Sequence, residues 1–137
     1  MSGVLYVVGT PIGNLGDMTE RQLETLEKVD FIAAEDTRVT RKLLTHFDLH
    51  TPLVSYHEHS TETVIARIVS RLAEGESCAV VTDAGMPCIS DPGAILVQRC
   101  QQESIPIQVV PGPSAVISAL AVSGQDTGRF CFEGFLS

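Results

Sequence analysis

The sequence predicts an α/β fold, a five-stranded parallel sheet with helices on both faces. Short, nearly continuous apolar runs such as residues 4–8 and 78–82 alternate with stretches of helical apolar period, as strands buried on both sides require. Each pair of runs is separated by enough chain for a right-handed crossover helix. At 137 residues and 44% hydrophobic, the chain suits one compact domain with a real core.

Taken in order, residues 4–8 read as the first strand. Thr19 with Gln22 three residues on makes a capping box, and Leu23, Leu26 and Val29 recur at helical spacing, so a helix runs to about Lys28. Residues 30–34 are a second strand, followed by a helix with Val39, Leu43, Leu44 and Phe47 on one face. Residues 52–55 are a short third strand. The next helix starts at Ser60, carries Val64, Ile65, Ile68, Val69 and Leu72 on one stripe, and stops at Gly75, where a left-handed C-cap costs little. Residues 78–82 are the fourth strand, and a long loop leads to Asp91 as N-cap with Pro92 at the first helical position. That helix ends near Glu103. Residues 107–110 are the fifth strand, and Gly112, Pro113 and Ser114 open a last helix carrying Val116, Ile117 and Leu120.

Residues 129–136 hold three of the five phenylalanines in a sixth strand-like run that stops at once. Aromatics on a strand face ask for a packing partner, and none follows. The expectation is therefore that the chain is the first part of a longer protein. Residues 1–124 would be the α/β domain, and residues 125–137 a linker and first strand of a second domain. Pairing of this run onto the domain's own sheet, or across a dimer, is the alternative.

No stretch approaches the about 20 apolar residues of a membrane-spanning helix, and no basic segment precedes a hydrophobic run at the N-terminus. A cytoplasmic protein without membrane association is expected. Seventeen acidic against nine basic residues leave a charge of −8, which repels phosphate backbones unless the positive groups are gathered. Residues 37–47 gather Arg38, Arg41 and Lys42 with His46 and no carboxylate. This is either a solvated helix face or a phosphate-facing one. The cysteines Cys78, Cys88, Cys100 and Cys131 match neither a redox pair nor a zinc site, and are expected to be reduced.

In an open parallel sheet, ligands bind beyond the carboxyl ends of the strands. The first such loop, G-T-P-I-G-N-L-G-D, resembles a dinucleotide loop, but Pro11 stands where the middle glycine belongs, and the lysine of a P-loop is absent. After the second strand, Glu35 and Asp36 suit a ribose hydroxyl pair, and Arg38 a phosphate or the orientation of that carboxylate; Asp36 or Thr37 equally suits a helix N-cap. After the third strand, His57, Glu58 and His59 lack the spacing and third ligand of a metal site, and no metal is expected. A polar loop or a base near neutral pH remains open. The long loop after the fourth strand offers backbone amides to a polar ligand. The turn at Pro111, Gly112, Pro113 and Ser114 meets a helix N-terminus suited to an anionic group. These two loops should face one cleft.

The segments G-T-P-I-G-N-L-G-D, A-E-D-T-R, S-Y-H-E-H, V-T-D-A-G-M-P-C-I-S-D-P-G, V-P-G-P-S-A and the closing F-C-F-E-G-F-L run in unbroken order along the chain. Together they resemble the ribosomal RNA small subunit methyltransferase I family, a branch of the tetrapyrrole methylase superfamily. The resemblance implies an S-adenosylmethionine-dependent enzyme that methylates the ribose 2′-hydroxyl of a cytidine in the decoding region of 16S rRNA. It also implies a homodimer of two-domain subunits, with cofactor held between the parallel five-stranded domain and a C-terminal α/β domain that this chain lacks. Activity of the chain alone is not expected. The cofactor residues carried over are Ile12, Asp83, Gly85, Met86, Pro87, Ser114 and Ala115, Asp83 foremost. A ribose hydroxyl needs a base, for which Glu35, Asp36, His57 and His59 are candidates, and Arg38, Arg41 and Lys42 are candidates for rRNA phosphates.

Corrin or porphyrin methylation is the rival within enzymes, and the A-E-D-T-R and S-Y-H-E-H segments weigh against it. The rival outside enzymes is a non-enzymatic nucleotide-binding α/β module. A phospho-receiver lacks its aspartate after the third strand and its lysine after the fifth, where Ser55 and Tyr56, and Pro111 and Gly112, stand instead. Nicotinamide binding is weakened by Pro11.

Overall fold

A computed structural model describes residues 1–57, 60, 62–89 and 93–134. It contains β1 (Leu5–Val8), α1 (Glu20–Lys28), β2 (Phe31–Ala34), α2 (Thr37–His46), β3 (Leu53–Ser55), α3 (Glu62–Ala73), β4 (Cys78–Val81), α4 (Ala94–Gln102), β5 (Ile107–Val110) and α5 (Ala115–Val122). The strands form one sheet in the order β3-β2-β4-β1-β5, with every pairing parallel. This is the predicted fold class.

The period-2 alternation of the strands divides the core in two. Leu5, Val7, Phe31, Ala33, Cys78 and Val80 point to one face, under Ile65, Ile68, Val69 and Leu72 of α3 and Leu96 and Cys100 of α4. Tyr6, Val8, Ile32, Ala34, Ala79 and Val81 point to the other, under Leu26 of α1 and Leu44 of α2. The chain runs from β1 outward to β2 and β3, then returns through β4 to β5. Adjacent central strands β1 and β4 therefore send their following helices to opposite faces. That divergence makes the topological switch point at which open α/β sheets bind ligands.

Local chemistry sets the helix ends. Thr19 caps α1 through the full capping box with Gln22, and Asp36 caps α2 by accepting the Arg38 N–H. Gly75 takes φ 107° after α3. The N-cap of α4 is Gly93, at φ 121°; the expected Asp91 and Pro92 lie outside the described residues. Cys78, Cys100 and Cys131 are free thiols. Among the described residues no helix is long and apolar enough to cross a membrane.

Three expectations need correction. On α2 the buried residues are Thr40 and Leu44, whereas Val39 is 40% exposed. At about 100° per residue, Thr40 and Leu44 turn to the sheet, and Val39 and Leu43 turn to the flank facing the loop after β1. Second, α5 buries none of its residues. Its apolar side chains run around the whole helix rather than along one stripe, and it stands off the sheet. Third, residues 129–134 form no strand. Extended chain becomes a strand only by pairing, and the edge strand β5 takes no partner among the described residues beyond β1.

Candidate functional site

The loops after β1, β4 and β5 are joined just beyond the sheet. Thr10 and Gly85 exchange backbone hydrogen bonds of 3.0 and 3.1 Å, a single antiparallel bridge between the two loops of the switch point. Thr10 Oγ1 also donates to Thr82 O at 3.2 Å. Gly9 and Gly112 meet backbone to backbone: a Cβ on Gly9 would lie 2.5 Å from Gly112 N and 2.8 Å from Met86 Sδ. No side chain fits there, which accounts for the two glycines. Gly112 N–H donates to Met86 Sδ at 3.3 Å. Gln22, fully buried, donates from Nε2 to Gly9 O at 2.7 Å, so α1 holds the same ring of loops.

The Thr10–Gly85 bridge separates two cavities. One, of about 600 Å³, is lined by Ile12, Gly85, Met86, Ser114 and Ala115, with Phe130 and Phe132 on its wall. The loops after β4 and β5 thus face one cleft. Ser114 caps α5 by accepting the Ile117 N–H at 3.2 Å, and Gly85 has φ 82°, a backbone most side chains avoid. Pro87 is buried and does not face this cavity.

The second cavity, of about 540 Å³, lies between the loop after β1 and α2. Pro11, Asn14, Val39, Lys42, His46 and Asp83 are among its walls. Successive residues of one loop therefore serve different cavities. Ile12 and Ala84 face the first, Pro11 and Asp83 the second. The structure brings Ile12, Gly85, Met86, Ser114 and Ala115 together on the first cavity, and places Asp83 on the second.

Asp83 stands beside two other acids from the end of the neighbouring β2. Its Oδ1 accepts the Asp36 N–H at 3.3 Å. Burial, with the charge of Glu35 second, raises its carboxyl above the ordinary value of 3.8. Glu35 Oε2 accepts from Thr82 Oγ1 at 3.0 Å. Asp36 is the opposite case. Its carboxylate takes the Arg38 guanidinium at 3.1 and 3.2 Å and the Arg38 N–H at 2.9 Å, and these bonds hold its pKa below the ordinary value.

His57 follows β3, which lies two strands from β4, about 10 Å away at the usual strand spacing. Its backbone N–H is held by Ser60 Oγ at 2.8 Å. His59 lies outside the described residues. Arg38, Arg41 and Lys42 occupy one face of α2 and, with Thr45 and His46, line a groove on its outer side. Lys42 and His46 belong to both the groove and the second cavity.

Gln22 and Tyr56 are the supporting residues the sequence analysis did not single out for the site. The capping box announced Gln22, but only folding brings its amide to Gly9. Tyr56 is 4% exposed. Its phenol meets the backbone N–H groups of Leu96 and Gly93, and burial raises its pKa. It thereby pins the start of α4 to the end of β3.

A doubly wound parallel domain with its ligand cleft at the ends of β1, β4 and β5 is the class of protein defined by this geometry. The chain belongs to the tetrapyrrole (corrin/porphyrin) methylases, whose family model matches residues 4–133. Among curated relatives it is 54% identical over 135 residues to ribosomal RNA small subunit methyltransferase I of Synechocystis sp., covering 98% of this chain and 48% of the relative. Proteins of the same name from Thermotoga maritima and Escherichia coli O157:H7 are 53% and 48% identical, each over 98% of this chain and over 60% and 47% of their own lengths. The chain thus spans about half the length of most of these relatives. Among solved structures, uroporphyrin-III-C-methyltransferase from Thermus thermophilus superposes with a TM-score of 0.67 at 24% identity, over 93% of this chain and 54% of that one. Diphthine synthase gives 0.71 at 17%, over 95% and 52%. At such identities these two structures speak for the fold alone.

Proposed function

We propose that this chain is the cofactor-holding part of an S-adenosylmethionine-dependent methyltransferase that acts on the ribose 2′-hydroxyl of a cytidine in the decoding region of 16S rRNA. The observation that carries the reading is the apolar cavity closed by the loops after β1, β4 and β5, in a chain about half identical to proteins named for rRNA methylation. Its walls fit the group chemically. Ile12, Met86 and Ala115 offer apolar surface to a purine and a methionyl chain, and Ser114 and the backbone around Gly85 offer polar atoms at the rim.

When bound, S-adenosylmethionine supplies a methyl group made electrophilic by its sulfonium. The chain's own residues position the acceptor, exclude water and take the hydroxyl proton. Of the carboxylates, Asp36 is the poorest base, because Arg38 stabilises its charge. Asp83, raised by burial and by Glu35, is the better proton acceptor, and Glu35 stands beside it. This extends the role of Asp83 from cofactor binding to the acceptor side. Arg41 and Lys42, with Arg38 partly engaged by Asp36, serve rRNA phosphates from α2. The same reading takes the working form as a cytoplasmic homodimer, checked by sedimentation.

The test is calorimetric titration with S-adenosylhomocysteine, with NADH in parallel. Saturable binding of the first only, lost in Ala115→Trp, is expected; binding of NADH in its place overturns the reading. Incubation of a chain extended beyond Ser137 through the second domain with 30S subunits and labelled cofactor then reads the product. A 2′-O-methyl blocks alkaline cleavage at its own position, so label recovered only in alkali-labile mononucleotides overturns the 2′-hydroxyl assignment.

A further inference from the structure

Resting on the methyltransferase reading above, we propose that the second cavity, between the loop after β1 and α2, is the pocket for the acceptor ribonucleotide of a single-stranded RNA. The groove on α2 would lead the RNA phosphates into it. Three features of the structure carry this.

The two cavities divide the chemistry between them. Among the described residues the first is lined by no basic or acidic side chain, so it offers a phosphate no cationic side chain. The second has Lys42 and His46 toward its outer end and Asp83 among its walls. Its volume of about 540 Å³ lies within the about 300–1,000 Å³ usual for small-ligand sites.

Its walls match the parts of a nucleotide. Leu15 and Val39 are 42% and 40% exposed and, with Leu43, present apolar surface to the faces of a base, a contact that tolerates any base. Asn14 spends its Oδ1 on the Gly16 N–H at 2.8 Å, which leaves its amide N–H pair for a base edge. Ribose hydroxyls are donors, and Asp83, with Glu35 beside it, supplies acceptors.

The groove and the pocket are continuous. Arg38, Arg41, Lys42 and His46 recur three and four residues apart on α2, hence on one face. Lys42 and His46 line both spaces. In a chain of net charge −8, this carboxylate-free helix is where a phosphate backbone meets attraction rather than repulsion. Thr10 on this pocket's wall and Gly85 on the apolar cavity's wall are bonded to each other, so the two spaces adjoin.

The test is amide NMR on the ¹⁵N-labelled chain, titrated separately with cytidine 5′-monophosphate, its 2′-deoxy analogue and S-adenosylhomocysteine. Cytidine monophosphate is expected to shift Asn14, Leu15, Val39 and Leu43 saturably, and less so as salt rises. Val39→Trp, which fills the pocket from an exposed position, is expected to abolish those shifts. Lys42→Glu, on the solvent side of α2, is expected to weaken them about tenfold. The deoxy analogue should bind more weakly, and equal affinity overturns the placement of the ribose. Shifts confined to Gly85, Ser114 and Ala115, no saturable shift, or unchanged binding in Val39→Trp each overturn the pocket. If cytidine monophosphate behaves as expected and S-adenosylhomocysteine fails to bind, the nucleotide pocket stands, and the cofactor reading falls once a chain extended beyond Ser137 through the second domain fails to bind it as well.

Discussion

Gln22→Ala removes two bonds at once from a side chain with no exposure to solvent. The Nε2 bond to Gly9 O at 2.7 Å is lost, leaving a buried carbonyl without that donor, which costs about 1–3 kcal/mol. The Oε1 bond from the Thr19 N–H at 2.6 Å is lost as well, half of a capping box worth roughly 1 kcal/mol. The expected destabilisation is about 2–4 kcal/mol. With an unfolding entropy of about 2.1 cal/mol/K per residue, a chain of this size loses roughly 7–14 °C in Tm. Gln22→Glu separates the two bonds. It keeps an acceptor for Thr19 but turns a carboxylate oxygen toward Gly9 O, so its folded-state pKa is raised. Its stability is therefore present in acid, where a protonated carboxyl donates to Gly9, and is lost as pH rises through that raised value. Scanning calorimetry of both variants from acid to neutral pH measures this. A loss of less than about 2 °C in Gln22→Ala at neutral pH would refute the claim that α1 holds the loop ring through this side chain.

Other outcomes follow from the same geometry. Gly112→Ala places a Cβ 2.7 Å from Gln22 Nε2 and 2.8 Å from Gly9 Cα; overpacking of about 1–3 kcal/mol is expected in urea unfolding, and an unchanged midpoint contradicts the close approach. Asp83 has a raised pKa in the folded state, so its contribution to stability is greatest below the ordinary carboxylate range and falls as pH rises through the raised value. Asp83→Asn should therefore gain on the parent between acid and neutral pH, and a parallel pair of stability curves would show the carboxyl unstrained. Burial pushes the Cys78 thiol up to about 12 and the Cys100 thiol to about 11, while Cys131 is exposed. Iodoacetamide should label Cys131 in the native chain and reach Cys78 and Cys100 only on unfolding, read by mass spectrometry.

The strands were legible because a parallel sheet buried on both faces demands unbroken apolar runs, and residues 107–110 matched β5 at both ends. The capping box of α1 and the Gly75 stop after α3 were legible because both depend on nearest neighbours. The inner face of α2 was misjudged since periodicity counts apolar residues without knowing which neighbour they meet. Val39 and Leu43 form part of a pocket wall, while Thr40, polar and unremarked, took the buried place. The unpartnered α5 had no helical stripe to read, and the aromatic run near the end carried the propensity of a strand but nothing to pair with.

The site shows the same division. Loop composition alone marked the ends of β1, β4 and β5 as unusual, because glycine, proline and aspartate clusters are local signals of special backbone. The family resemblance grouped Asp83 with Gly85, two residues away in the chain. Tertiary structure set Asp83 on the wall of one cavity and Gly85, a member of the two-bond bridge, on the wall of the other. Propensity, capping and burial pattern are written residue by residue and so belong to the sequence. Which cavity a loop side chain enters depends on strands brought together across gaps of more than seventy residues, such as Thr10 and Thr82, and only the folded sheet decides it.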